Sequence, residues 1–315
     1  MRFKRGLIMT ALPIVGAAII WGLAVAKTAP ARWGSDGHRM ATKAAMGILP
    51  EELPPFFREA GEQLEYLSPE PDRWYSRELH AMDEAWRFDH YIDMERVPPR
   101  ARNSADRYAF LETLYEEGIK QPHDAVGFLP FRVMELYQRL TTGFANWRLS
   151  NSGPERGWIE ARVLNDAGLL GHYVVDAAQP HHTTIHFNGW ADGAPNPGRF
   201  TKNRDFHSQF ESGFVRAHLS YQDLPPLMPD APRKLGNVSE AVWDFIESSN
   251  GMVEELYQLE KEFGFDPRER PHPETQEFVA LRLAEGAEML ATIWWTAWLN
   301  SEALADRRRE GNRGS

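Results

Sequence analysis

The sequence predicts an all-α protein. Three observations carry that expectation. Long segments repeat apolar residues at i, i+3 and i+4, prolines stand where helices should start and stop, and no segment alternates apolar and polar residues as a strand would. No repeat period is present. A chain of 315 residues has room for one large core, and 42% hydrophobic with 25% charged residues is ordinary globular composition.

Residues 1–32 read as separate from the fold. "MRFKRG" is a basic start, residues 7–26 form an apolar run about as long as a membrane span needs, and Ala29-Pro30-Ala31 offers a cleavage site. A cleaved signal peptide and a retained anchor both export the body. It would then be secreted, periplasmic, or membrane-associated through residues 7–26.

The helical body is expected over 33–306. Residues 37–48 alternate small and apolar positions and end before Pro50. Residues 105–118 place Tyr108, Leu111 and Tyr115 at helical spacing, and residues 130–148 open with Pro130 and repeat Val133, Leu136, Tyr137, Leu140 and Phe144. Residues 157–178 predict a helix stopped by Pro180. Residues 238–263 and 274–306 predict two long helices, the second with Leu283, Ala287, Leu290, Trp294 and Trp298 on one core-facing stripe. Residues 66–103 and 183–205 are loop-like in their Pro, Gly, Asp and Asn content, and 307–315 reads as a disordered tail.

Composition narrows the chemistry. With no cysteine, neither disulfides nor thiolate ligands are available, so a metal site must use His, Asp, Glu or backbone atoms, which suits zinc or another borderline-to-hard divalent ion. The net charge is −10, and the first 32 residues hold five basic and no acidic side chains, so the body is more acidic still. That field disfavours polyanions except where bound cations offset it.

The stretch "GHYVVDAAQPHH" sets His172 and Asp176 four apart, on one face of a helix, and His182 just past Pro180 where the chain leaves it. A second pair with the same spacing, His207 and Glu211, occurs further on in "FHSQFE". His38, Asp72 and His90 offer further imidazole and carboxylate donors from separate segments. Donors collected from so many segments point to a multinuclear metal site rather than a structural clip. The 183–205 loop joins the two donor-bearing helices and should overhang the site. Its Phe187, Trp190 and Phe200 could stack on a base or a headgroup, or pin the loop shut. Asp93 is read as a partner of a ligand histidine or a substrate-binding residue. His181 is read as outside the ligand pattern, His186 as solvent-exposed, and His80, His123, His218 and His272 as structural or exposed.

In "WGSDGH" (33–38), "PD" (71–72), "DHYID" (89–93), "LGHYVVDAAQPHH" (170–182) and "HSQFE" (207–211), the chain resembles the superfamily of bacterial zinc-dependent phospholipases C and fungal and plant single-strand-specific nucleases. The resemblance implies a single all-helical domain with a cleft holding three zinc ions. It implies that Asp72, His90, His172 and Asp176 hold one ion. Asp176 would bridge to a second ion, held also by His38 and the backbone amine and carbonyl of Trp33, and His182, His207 and Glu211 would hold the third. The implied reaction is phosphoester hydrolysis by a metal-bridged hydroxide, with Asp72 and Asp176 closest to the chemistry. The Asp72-to-His90 gap is a few residues longer than the family's, which leaves Asp83 and Asp89 as alternatives to Asp72. Glu211 and the lack of cysteine resemble the phospholipase branch. The expectation is therefore an exported, phospholipase C-like hydrolase acting on a phospholipid headgroup. A single-strand nuclease acting on nucleic acid is the alternative, and a non-catalytic zinc-binding helical protein is the alternative outside enzymology.

Overall fold

The computed structural model describes residues 34–313, Arg77 excepted. Residues 1–32, read as signal or anchor, and Trp33, read as a ligand, lie outside the described residues. Among the described residues no helix is long and apolar enough to cross a membrane.

The chain is all-α. Its longer helices are α1 (Gly34–Gly47), α2 (Gly61–Leu67), α3 (His80–Trp86), α4 (Arg107–Glu116), α5 (Leu129–Leu149), α6 (Pro154–Ala177), α7 (Val238–Gly251), α8 (Val253–Phe263) and α9 (Pro273–Arg313). The β-pairing among the described residues consists of isolated bridges such as Ile92 with Gly127. Helix α9 packs along α5, α1 and α6, while α5 and α6 pack on each other. The predicted stripe lies in the core: Leu283, Ala287, Leu290, Trp294 and Trp298 are all buried. Trp294 packs edge-on against Phe57 and donates through Nε1 to the Ala167 carbonyl at 3.3 Å, tying α9 to α6. Each large apolar side chain of this kind contributes about 1.5–3 kcal/mol on burial.

Several elements differ from expectation. The helix expected over 238–263 breaks at Met252 into α7 and α8. Gly251 stands at the break, and glycine costs a helix interior about 1 kcal/mol relative to alanine. In α4, Asp106 caps the N-terminus by accepting from the Tyr108 and Ala109 amides at 2.9 Å. Its buried face is Phe110 and Leu114, whereas Tyr108 and Tyr115 are exposed. The tail expected from residue 307 continues α9 to Arg313. There Arg308 donates to the Asn146 side chain and Arg309 to the Arg148 carbonyl, so α5 holds the extension. The 66–103 stretch is a chain of short helical turns, including Pro71–Trp74 and Arg87–His90, rather than open loop.

Two close approaches bring donor-bearing segments together. A Cβ on Gly168 would lie 2.3 Å from Leu67 Cβ, so glycine lets the end of α2 press onto α6. Gly127, at φ 87°, lies where a Cβ would meet the Tyr91 carbonyl at 2.2 Å, and only so can residues 88–93 lie against 126–129.

Candidate metal centre

The last turns of α6 are buried nearly all round, from Val163 to Ala177. Polar groups there need partners, because an unmatched buried charge is costly. Asp166 has Arg139 at 2.7 Å. His172 and Asp176 are wholly buried and instead face His38, His90, His182 and Asp72.

The chain delivers these side chains from separate elements. His38 comes from the second turn of α1, and Asp72 and His90 from the turns Pro71–Trp74 and Arg87–His90. His172 and Asp176 project from α6, and His182 from the turn Pro180–Thr183. His207 and Glu211 come from a helical segment in which Phe206–Ser208 and Val215–His218 flank a π-helix, Gln209–Phe214. The donors fall into three groups, each with its ligand atoms within 4.8 Å of one another: His38, His172 and Asp176; Asp72, His90 and His172; His182, His207 and Glu211. All three could hold a metal ion.

Hydrogen bonds fix which nitrogens face inward. His172 Nδ1 lies 2.9 Å from the Ser68 carbonyl, and His182 Nδ1 lies 2.6 Å from the His90 carbonyl. A carbonyl only accepts, so both Nδ1 atoms carry the hydrogen and both Nε2 atoms keep a lone pair for a ligand. The Ser68 contact depends on the α2–α6 approach at Gly168. Gln179 secures the third group: its Oε1 accepts from the His181 amide at 2.5 Å, and its Nε2 donates to Glu211 Oε2 at 3.2 Å.

The donor set fits a cation. Both ring nitrogens of His38 are buried without a hydrogen-bond partner, and Asp176 Oδ1, at 3.5 Å from His38 Nε2, likewise makes no hydrogen bond. His90 Nδ1 lies 2.9 Å from His172 Nε2 and 3.1 Å from Asp176 Oδ2, so three donor atoms converge there. Burial, reinforced by His172, holds His38 well below the ordinary histidine range. Burial opposes the charged form of Asp176 and Glu211, yet their neighbouring imidazoles prevail and hold both carboxyls well below the usual carboxylate range. For His172 burial is likewise outweighed, by Asp176 and then Asp72, which raise its pKa. Two carboxylates kept ionised among imidazoles, on nitrogen and oxygen donors only, suit a borderline divalent ion.

The open carboxylate alternatives separate here. Asp72 Oδ1 is 3.6 Å from His172 Nε2 and 3.9 Å from His90 Nδ1. Asp89 turns the other way, to Arg107 at 2.9 Å and Arg132 at 2.6 Å, and Asp83 sits on α3 outside all three groups.

A cavity of about 440 Å³ opens beside the third group. It is lined by His182 and His207, by the apolar side chains of Tyr91, Ile185 and Phe187, and by the polar ones of Asp93, Arg96 and Lys120. Phe187 is 44% exposed, and Asp93 is buried beside Arg96 at 3.8 Å. Trp190 and Phe200 are placed differently. Trp190 is buried, stacked on His186 at 3.8 Å and packed against Phe200 and Tyr257, so these rings pin the loop. His186 is therefore buried rather than solvent-exposed, with its Nδ1 accepting from the Ala191 amide. His181 is buried too, although nothing in its spacing suggests so. Gln179 and Ser68 join the site without having stood out in the sequence. Gln179 carries a local signal, a glutamine immediately before the helix-ending proline, whereas Ser68 acts through its carbonyl and carries none.

No protein-family model matches the chain, and no curated protein matches it significantly.

Proposed function

We propose that this protein is an exported zinc-dependent phosphoester hydrolase, related to the bacterial phospholipases C and single-strand-specific nucleases and closer to the former. The observation that carries the reading is the convergence of three His and carboxylate groups from six separate segments, the third of them opening onto a cavity. Zinc fits a cysteine-free site of imidazoles and carboxylates.

Bound ions would supply Lewis acidity toward phosphoryl oxygens and lower the pKa of water. The chain's own residues do the rest. His38, His90, His172 and Asp176 are wholly buried and therefore fixed in place. Asp72, with a side chain 19% exposed, is the carboxylate of the cluster that an attacking water can reach, so it orients that water and takes its proton. The cavity receives the group attached to phosphorus. The resemblance of Glu211 to the phospholipase branch favours a lipid headgroup ester. Phe187, exposed on the cavity wall beside the half-buried Tyr91, favours the second reading, a single-strand nuclease, because an exposed ring there can stack on a base.

Purified zinc-loaded protein should hydrolyse phosphatidylcholine or single-stranded DNA and lose that activity to a chelator. Bound zinc with no turnover of either substrate would leave the non-catalytic zinc-binding reading and sink the hydrolase.

A further inference from the structure

One imidazole holds the turn that forms part of the cavity wall. His186 is buried, and its ring lies flat on Trp190, with centroids 3.8 Å and planes 12° apart. Its Nδ1 accepts from the Ala191 amide at 3.0 Å. An amide N–H only donates, so Nδ1 carries the lone pair and the ring is neutral, with its hydrogen on Nε2. The stretch leading into His186 is tied to other elements: Glu95 accepts from the Ile185 amide at 3.1 Å and from the Thr184 hydroxyl, and Tyr257 donates to the His186 carbonyl. Trp190 is tied separately, its amide donating to the Thr201 carbonyl at 2.7 Å and its Nε1 to the Pro195 carbonyl at 2.8 Å. His186 therefore joins two stretches that are anchored apart. Phe187 lies between them and Ala191 at the bond itself, and both line the cavity beside His182 and His207.

Protonation undoes this bond. Imidazolium donates from both nitrogens, so turning the ring over cannot restore an acceptor for the Ala191 amide. The Trp190 face tolerates the added charge, so the change falls on that amide, left facing another N–H. We propose that His186 is a proton-operated latch: neutral, it holds the Ala191 amide and closes the 186–191 turn against the cavity, and protonated, it releases that turn and frees Phe187 to move. The charged groups that act on His186 are Glu95, from the turn Met94–Arg96, and Glu254, from α8. Both favour the proton, but burial outweighs them and holds His186 below its ordinary value. Tyr257, from the same helix, is pushed by burial above the ordinary tyrosine range and stays neutral. The closed turn is thus the neutral form, and it is lost as pH falls through the lowered value. The latch does not depend on the hydrolase reading, because it moves a wall of the cavity whatever the cavity takes.

The test is hydrogen exchange on the full zinc-loaded chain, read by mass spectrometry on peptides covering residues 186–192 and corrected for the unstructured rate at each pH. Between about pH 8 and about pH 5, protection in the unmodified protein should fall about tenfold. His186→Asn offers an amide oxygen in the place of Nδ1 but takes up no proton, so its protection should stay level over the same range. In the unmodified protein the His186 ring, followed by NMR, should titrate with the same midpoint as the loss of protection. That comparison needs no variant and stands even if His186→Asn folds poorly. Protection independent of pH in the unmodified protein would overturn the latch. So would an equal fall in His186→Asn, which would assign the release to another group or to zinc lost in acid. A His186 midpoint well removed from that of the release would overturn it too.

Discussion

Replacing Asp89 by asparagine separates a structural carboxylate from a metal-binding one. Asp89 is wholly buried one residue before His90, and it accepts from Arg132 Nε at 2.6 Å and Arg107 Nη1 at 2.9 Å. Asparagine keeps the shape and removes the charge, leaving two largely buried guanidiniums facing each other. Removing one partner of a buried ion pair costs about 3–5 kcal/mol. Glu135 offsets part of that here. It holds Arg107 through two bonds of 2.6 and 2.7 Å and lies 3.3 Å from Arg132, and it is itself partly exposed. The low end applies, about 3 kcal/mol, which for a domain of this size lowers the melting midpoint by roughly 6–12 °C. Circular dichroism melts at neutral pH, paired with zinc content by elemental analysis, read both effects. The expected result is a lower midpoint with metal content unchanged. An unchanged midpoint combined with lost zinc would return Asp89 to the ligand set and refute the assignment of Asp72.

The same geometry sets other outcomes. Gly168→Ala forces a Cβ against Leu67 and should destabilise the protein by about 1–3 kcal/mol; a midpoint indistinguishable from that of the unmodified protein would show that α2 and α6 can part freely. Gln179→Leu removes the amide that holds Glu211 and should weaken zinc binding at one of the three groups by about 10–100-fold, seen as one early-released equivalent in a chelator competition. Burial pushes the Asp93 carboxyl up to about 7. The folded chain then keeps a proton that the unfolded chain releases above about pH 4, so stability is lost as pH rises toward 7. In metal-free protein, the stability advantage of Asp93→Asn should grow from about pH 5 to about pH 7 and stay level above it. An equal advantage across that whole range would contradict the raised pKa.

The candidate metal-binding groups are legible in the sequence because most of their donors announce themselves locally. His172 with Asp176, and His207 with Glu211, carry the four-residue spacing of one helix face, and Pro180 marks the exit that frees His182. The choice among Asp72, Asp83 and Asp89 is not legible, because it turns on Arg107 and Arg132, which reach Asp89 from other helices. The burial of His181 escapes the sequence for a similar reason: the rings that enclose it include Tyr257, remote along the chain. Trp190 and Phe200 look like substrate platforms in a loop, and only the positions of His186 and Tyr257 show that they close it instead. Helix ends are weakest where exposure hides the signal. The arginine-rich end of α9 resembles a solvated tail until Asn146 and the Arg148 carbonyl are seen to receive it.

The π-helix at Gln209–Phe214 also bears on how such a site can arise. A π turn holds one residue more than the α-helix it interrupts, so this segment is equivalent to a regular helix that accepted a single inserted residue. One residue amounts to about 100° of rotation. Phe214 and Val215 are anchored in the core beyond the turn, while His207 lies before it at the cavity wall. Deleting one residue after Glu211 would bring the helix back into phase and swing the donor pair away from His182 by about that angle. A single codon gained or lost would then decide whether this helix serves only the core or also carries a metal-binding face.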